Sequence, residues 1–226
     1  MIFLSMMLIA TILSSTVLFL YFYFRYHQPS RGRVEKDRLA LEDVLRQPAY
    51  TLRPWAEDAL GSLSALPYPR KRLLGWKDQH SGVLKTIHEE PVAAWAFHRY
   101  KSALPHYLLV LRIHGESARL ALRIRGESAF LFENERHTGT FEADGRLTDP
   151  RSGGTIALLR KGPEGSRELL LGNRLIGFLT PPQGGAQRKP TAFVEVAPIN
   201  PGATRMVRII SLLWLVARQE GLPLPV

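Results

Sequence analysis

Ile209 to Ala217 is apolar around the whole circumference of a helix, interrupted only by Ser211. A helix of this kind has to be enclosed on every side, by protein or by lipid. Its uncharged run is about half of the ~20 residues that a bilayer crossing requires, so enclosure by protein is expected. The ends are well marked. Asn200 is a good N-cap, Pro201 suits the first helical position, and Gly221 followed by Pro223 is a stop. Charges sit only near the ends, at Arg205, Arg208, Arg218 and Glu220. The rest of the chain must therefore supply a container.

From about Gly82 the pattern is one of short strands. Arg112-Ile113-His114-Gly115-Glu116-Ser117-Ala118-Arg119-Leu120 is echoed by Arg123-Ile124-Arg125-Gly126-Glu127-Ser128-Ala129-Phe130-Leu131. Each copy ends a strand, turns through Gly-Glu-Ser and begins the next. Neither copy carries a P-loop or dinucleotide fingerprint, so the glycines read as turn residues. The pattern predicts strands at Val83–His88, Val92–Tyr100, His106–Ile113, Arg119–Arg125, Ala129–Glu133 and Thr138–Glu142. After an Asp144-Gly145 turn it predicts Thr155–Arg160, Glu168–Leu171, Arg174–Leu179 and Ala192–Val196. Roughly ten strands and one apolar helix are most economically arranged as a mainly β fold, an antiparallel β-barrel enclosing the helix.

The other end of the chain is also apolar. Ile2 to Phe24 carries no charge and ends in Tyr21-Phe22-Tyr23-Phe24-Arg25-Tyr26, the pattern of a transmembrane helix with an aromatic belt. A cleaved signal peptide is the alternative, but no Lys or Arg precedes the run and no small-residue site follows it. Arg25, Arg31, Arg33, Lys36 and Arg38 follow closely, so the positive-inside rule puts the N-terminus outside and the main domain in the cytoplasm. The high Arg, Ala, Gly and Pro content suggests a bacterial inner membrane. The expected division is a single-pass anchor over 1–26, a linker over 27–72, and a barrel domain over 73–226. Within the linker, 37–47 reads as a short amphipathic helix stopped by Pro48, and a second helix is expected from Pro54 through Leu63.

Little in the chain suggests catalysis. There is no cysteine and no Gly-x-Ser-x-Gly elbow, and Ser117 and Ser128 sit in turns. His80, His88, His98, His106, His114 and His137 are spread over successive strands without the tight pairs of a metal site. Glu89-Glu90 beside Pro91 has no special setting. No enzyme, cofactor or metal is expected on these grounds. The net charge of +10 invites acidic partners, with +3 of it in the segment up to Arg38 and +7 beyond. Zinc-finger spacing, RNP motifs and basic helices are absent, which argues against nucleic acid.

One constellation does suggest binding. Arg119, Arg123 and Arg125 alternate with Leu120, Leu122 and Ile124, so they share the wet face of a strand, and Arg112 lies on its neighbour. Arg99 and Lys101 extend the basic group. Guanidinium pairs bidentately with phosphate oxygens, so the stripe suits a phosphate or a lipid headgroup; a merely solvated face is the other reading. The expected function is a non-catalytic, membrane-anchored module that binds anionic lipid headgroups or a membrane-protein partner. A structural subunit of a membrane assembly, or an enzyme on lipid or envelope substrates, are the alternatives.

The order of elements is similar to the tubby-like group, which includes the LURP-one-related and phospholipid-scramblase-related domains. The resemblance spans about Leu73 to Leu222. It rests on Thr138-Gly139-Thr140-Phe141-Glu142-Ala143-Asp144-Gly145-Arg146-Leu147-Thr148-Asp149, and on Asn173-Arg174-Leu175-Ile176-Gly177-Phe178 with the terminal helix. It implies a barrel around a hydrophobic helix and a lipid-related or membrane-proximal binding role. An acidic segment like the scramblase calcium region is missing, and no family residue transfers by position. A pleckstrin-like domain is the rival fold, but it is smaller and its helix is amphipathic.

Overall fold

The structure is a computed structural model that describes residues 2–27, 29–55, 60–66, 71–73, 78–100, 102, 105–113, 119–181, 191–199 and 201–224. Helices α1 (Ile2–His27) and α2 (Arg31–Ala49) precede the sheet, and α3 (Pro201–Glu220) follows it. The strands are β1 (Lys71–Arg72), β2 (Gln79–Lys85), β3 (Pro91–Arg99), β4 (His106–Ile113), β5 (Leu120–Arg125) and β6 (Ser128–Glu133). They continue with β7 (Arg136–Phe141), β8 (Arg146–Thr148), β9 (Thr155–Lys161), β10 (Arg167–Leu171), β11 (Arg174–Leu179) and β12 (Phe193–Glu195).

All twelve strands lie in one antiparallel sheet in simple sequence order, β1 being a two-residue addition to eleven longer strands. The count exceeds the expected ten because β1 and β8 are too short to show an alternation. Nor is the sheet a closed ladder. Among the described residues β1 and β12 do not pair, and the sheet is open between them. A short segment reaches across the gap instead: Leu63 bridges to Thr86 beyond β2, and Ser64 bridges to Thr191 ahead of β12.

The container and its filling match the logic of the terminal helix. Val207 to Ala217 are all buried, with Trp214 only 1 % exposed. They pack in one cluster with Trp95, Leu109, Leu122, Leu131, Phe141, Leu159, Leu169 and Leu179, drawn from strands across the whole sheet. A single sheet can cover a helix on all sides only by curling round it. Ser211, the polar interruption, is satisfied within the helix by donating to the Val207 carbonyl at 2.8 Å. Gly221, in the left-handed region at φ 63°, ends the helix as its position suggested; Asn200 lies outside the described residues.

The expected membrane anchor is corrected. Ile2–His27 is helical, but among the described residues no helix is long and apolar enough to cross a membrane. The described side chains of α1 include those from Thr11 to Tyr23. They include Thr11, Ser15 and Thr16, whose hydroxyls donate to carbonyls one turn back. The single-pass assignment loses its support, and with it the membrane address and the orientation derived from it.

The linker is also reorganised. The helix expected over 37–47 begins six residues earlier, at Arg31, because the Ser30 hydroxyl caps it by accepting from the Arg33 amide at 3.2 Å. It runs past Pro48, which occupies its last turn. Of the helix expected from Pro54, residues 56–59 lie outside the described residues; among those described, Leu60–Ser62 is a 3-10 turn, and Leu63 and Ser64 after it form the bridges across the gap. Helix α2 lies on the outside of the sheet. Val34, Leu41 and Leu45 pack on Ala94 and Ala96 of β3 and on Leu108 and Val110 of β4. The outward alanines leave room for the helix, so β3 is buried on both faces.

Candidate anion-binding site

Strand register determines which side chains meet beneath the start of α2. In β5 the even residues Leu120, Leu122 and Ile124 join the core around α3. The odd residues therefore face outward. On that outer surface His106 is opposite Arg125, and Leu108, Arg123 and Phe130 form one cross-strand row. Val110, Ala121 and Phe132 form the next row. Helix α2 covers Leu108 and Val110, and its first turn brings Arg31 over Arg123.

The result is a cavity of about 330 Å³ lined by Pro29, Arg31, Ser102, His106, Arg123, Arg125, Phe130 and Phe132. Arginines 31, 123 and 125 enter it from two elements, and among the described residues its lining contains no carboxylate. The electrostatics record the crowding. Burial, then Arg125, lowers the pKa of Arg123 against a smaller opposing effect of Tyr100, with Arg31 adding least. Burial, then Arg123, Arg125 and His98, brings His106 down to about 4. The Arg123 Nε–H donates to His106 Nε2 at 3.2 Å, which fixes the guanidinium against the neutral ring. Phe130 and Phe132 flank the cavity and pack on the His137 ring, with centroids 5.7 Å and 5.4 Å from it.

A second cavity of about 290 Å³ lies beside the first and shares Arg31, Arg123 and Phe132 with it. Its floor is apolar, from Val34, Leu108, Ala121 and Phe132, and Glu35, Arg38, Arg119 and Glu135 complete its lining. Here the charges are matched. Arg38 is held by Glu35, Glu42 and Glu135, the last at 2.9 Å. Arg119 reaches Glu42 at 3.3 Å. The hydrogen bond from Arg38 lowers the Glu35 pKa, and the same bond raises that of Arg38.

The four arginines singled out from the sequence thus separate. Arg123 and Arg125 enter the first cavity. Arg119 is on the same face, but it faces Glu42 and lines only the second cavity. Arg112 shares the outer face of β4 yet lies four residues beyond Leu108, roughly 13 Å along the strand, and lines neither cavity. Arg99 lies over the Tyr107 ring at 5.7 Å, and Lys101 is outside the described residues. Sequence reasoning missed Arg31, His106, Phe130 and Phe132. A signal for the phenylalanines existed: Ala129, Phe130, Leu131 and Phe132 put apolar groups on both faces of β6.

Among the described residues no group of three or more metal-ligating side chains occurs, and His114 lies outside them. One histidine does meet an acid. His80 Nδ1 is 3.0 Å from Glu220, whose side chain is 1 % exposed. That pair lines neither of the two cavities and ties the end of α3 to β2. Asp37, His98 and Tyr100 are buried beneath α2, where burial and Asp37 push the Tyr100 hydroxyl pKa up. Arg208 binds the Trp55 carbonyl and lies over its ring at 4.7 Å, fastening α3 to the segment ahead of the sheet. Comparison with protein-family models, curated proteins and solved structures gives no match.

Proposed function

We propose that this chain is a non-catalytic binding module whose ligand presents a phosphate or similar anion to Arg31, Arg123 and Arg125. One observation carries the reading: guanidinium groups from α2 and β5 line one cavity whose described lining has no carboxylate. Like charges held together cost free energy in the absence of a ligand, and a bound dianion offsets that cost. Arginine is the side chain best shaped to hold two phosphate oxygens at once. The neutral His106 adds a ring that gains a proton most easily when a negative charge is beside it. Pro29 and Arg31 at the start of α2 line the cavity, so the positive end of the helix dipole lies beside the arginines and supports them.

The phosphate could be free or carried on a lipid headgroup. Calorimetry on the full chain with inorganic phosphate and with glycerol phosphate, beside sedimentation with phosphatidic acid and phosphatidylcholine vesicles, distinguishes the two. Binding of both soluble phosphates that falls with added salt supports the reading. Loss of all binding, at low salt and with every probe, would remove it.

A further inference from the structure

We infer that the ligand is a phosphate monoester joined directly to a compact apolar body, of about the size of a phenyl ring or a six-carbon chain. This rests on the anion-site reading and adds the chemistry of the rest of the molecule. The observation behind it is the way charge is sorted between two neighbouring cavities that share Arg31, Arg123 and Phe132. In the first, Arg125 joins Arg31 and Arg123, which line both cavities, and the described lining holds no acid. In the other, Arg38 and Arg119 are already matched by Glu35, Glu42 and Glu135. The anion is therefore directed to the first cavity.

What then fills the second cavity is set by its floor. Val34, Leu108, Ala121 and Phe132 offer carbon rather than hydrogen-bonding groups. Ala121 is the small residue of its row, opposite Val110 on one side and Phe132 on the other. Its short side chain opens the floor between two larger neighbours. Phe132 belongs to both cavities, so a group bound to the anion end meets a phenyl face before it reaches the floor. The two cavities together fall within the range of small-molecule sites, which are mostly apolar with a few placed polar groups. At about 290 Å³ the second one holds roughly ten non-hydrogen atoms, taking ~30 Å³ for each as for water. A free phosphate ion would leave this space to water, and a long acyl chain would exceed it.

The test is calorimetric titration of the full chain with inorganic phosphate, methyl phosphate, phenyl phosphate, hexyl phosphate and phenol. Phenyl or hexyl phosphate is expected to bind at least ~10-fold more tightly than methyl phosphate, with phenol alone bound weakly or not at all. In Ala121→Leu, which fills the floor, the ratio of phenyl to methyl phosphate affinity should collapse towards one. Ala121→Val is the smaller change and should reduce the ratio part of the way, with circular dichroism confirming that each variant is folded. Equal affinity for methyl, phenyl and hexyl phosphates overturns the inference while leaving the anion site standing. A ratio that persists in both variants overturns the placing of the apolar body. Failure of every phosphate to bind removes the anion site and this inference together.

Discussion

Arg123 on β5 donates from its Nε to Nε2 of His106 on β4 at 3.2 Å. A ring nitrogen that accepts a hydrogen bond carries no proton, so His106 is neutral with its proton on Nδ1. The pairing opposes His106 directly to Arg125 as well. Protonating the ring would break the bond to Arg123 and add a positive charge beside two others. The anion site and the acid sensitivity of the fold therefore share one residue.

Stability should fall in acid through this group. Burial, reinforced by Arg123, Arg125 and His98, lowers His106 to about 4 in the folded chain, against ~6.5 when unfolded. The unfolded chain takes up the proton first. The contribution is thus complete above pH ~6.5 and is lost as the pH falls towards 4, with a ceiling of about 3 kcal/mol. His98 shifts in the same direction, chiefly by burial. Urea titrations between pH 7 and pH 4 should show this slope, and His106→Gln should flatten it. An identical slope in the variant would refute the assignment.

Binding should separate the arginines. Arg31→Ala and Arg125→Ala are each expected to weaken inorganic phosphate by ~10-fold, the worth of one charge-assisted hydrogen bond. Arg112→Ala, outside both cavities, should leave the affinity within about twofold. Calorimetry at fixed ionic strength measures all of them, and equal losses at Arg112 and Arg125 would mean that only general charge matters.

An anion should also move the histidine. Sulfate keeps its charge from pH 4 to pH 7, so any pH dependence of its binding belongs to the protein. Its affinity is expected to rise as the pH falls below ~5, because the bound anion favours the His106 imidazolium. The same coupling should appear as an upward shift of the His106 titration in proton NMR when sulfate is present. A titration unaffected by sulfate would place the anion elsewhere.

The Arg38 network should be costly to break on one side only. Glu42 has a side chain that is 9 % exposed and is paired with both Arg38 and Arg119. Arg38→Met is expected to cost about 3 kcal/mol by leaving that carboxylate short of a partner. Adding Glu42→Gln should recover part of the loss in denaturant melts. Additive losses in the double variant would show that the two groups are not coupled.

Inside the sheet, space rather than charge is limiting. A Cβ at Gly82 would meet the Trp95 ring at 2.8 Å. Trp95 is fully buried, so it has little freedom to yield. Gly82→Ala should lower stability by about 1–3 kcal/mol, seen as a reduced thermal midpoint, and an unchanged midpoint would show that the ring can be displaced freely.

Most of the sheet was legible because its strands are local objects. The range His106–Ile113 matches β4, and the Gly126-Glu127 turn with φ 61° at Gly126 joins β5 to β6 where the echo placed it. Apolar periodicity also identified α3. The site was legible only in part. Alternation put Arg119, Arg123 and Arg125 on one face, but it could not show that Glu42, from a helix far ahead in the chain, would face one of them. Arg31 was read as linker because the first turn of α2 is polar and its cap is a single serine. The apolar stretch Ile2 to Phe24 misled the reading in the other direction: composition alone suggested an anchor that the described helix does not support.

The filling of the sheet comes last in the chain. Every strand pairs with its predecessor, so the ladder can be built in the order of synthesis. Its inner surface, including Trp95, Leu109, Leu122 and Leu169, is covered by α3. Until Pro201–Glu220 has left the ribosome, that surface is open and apolar, and premature release would deliver an empty, adhesive shell. Completion of the sheet's core therefore waits on the synthesis of α3, and the nascent β-sheet is the species most exposed to aggregation until then.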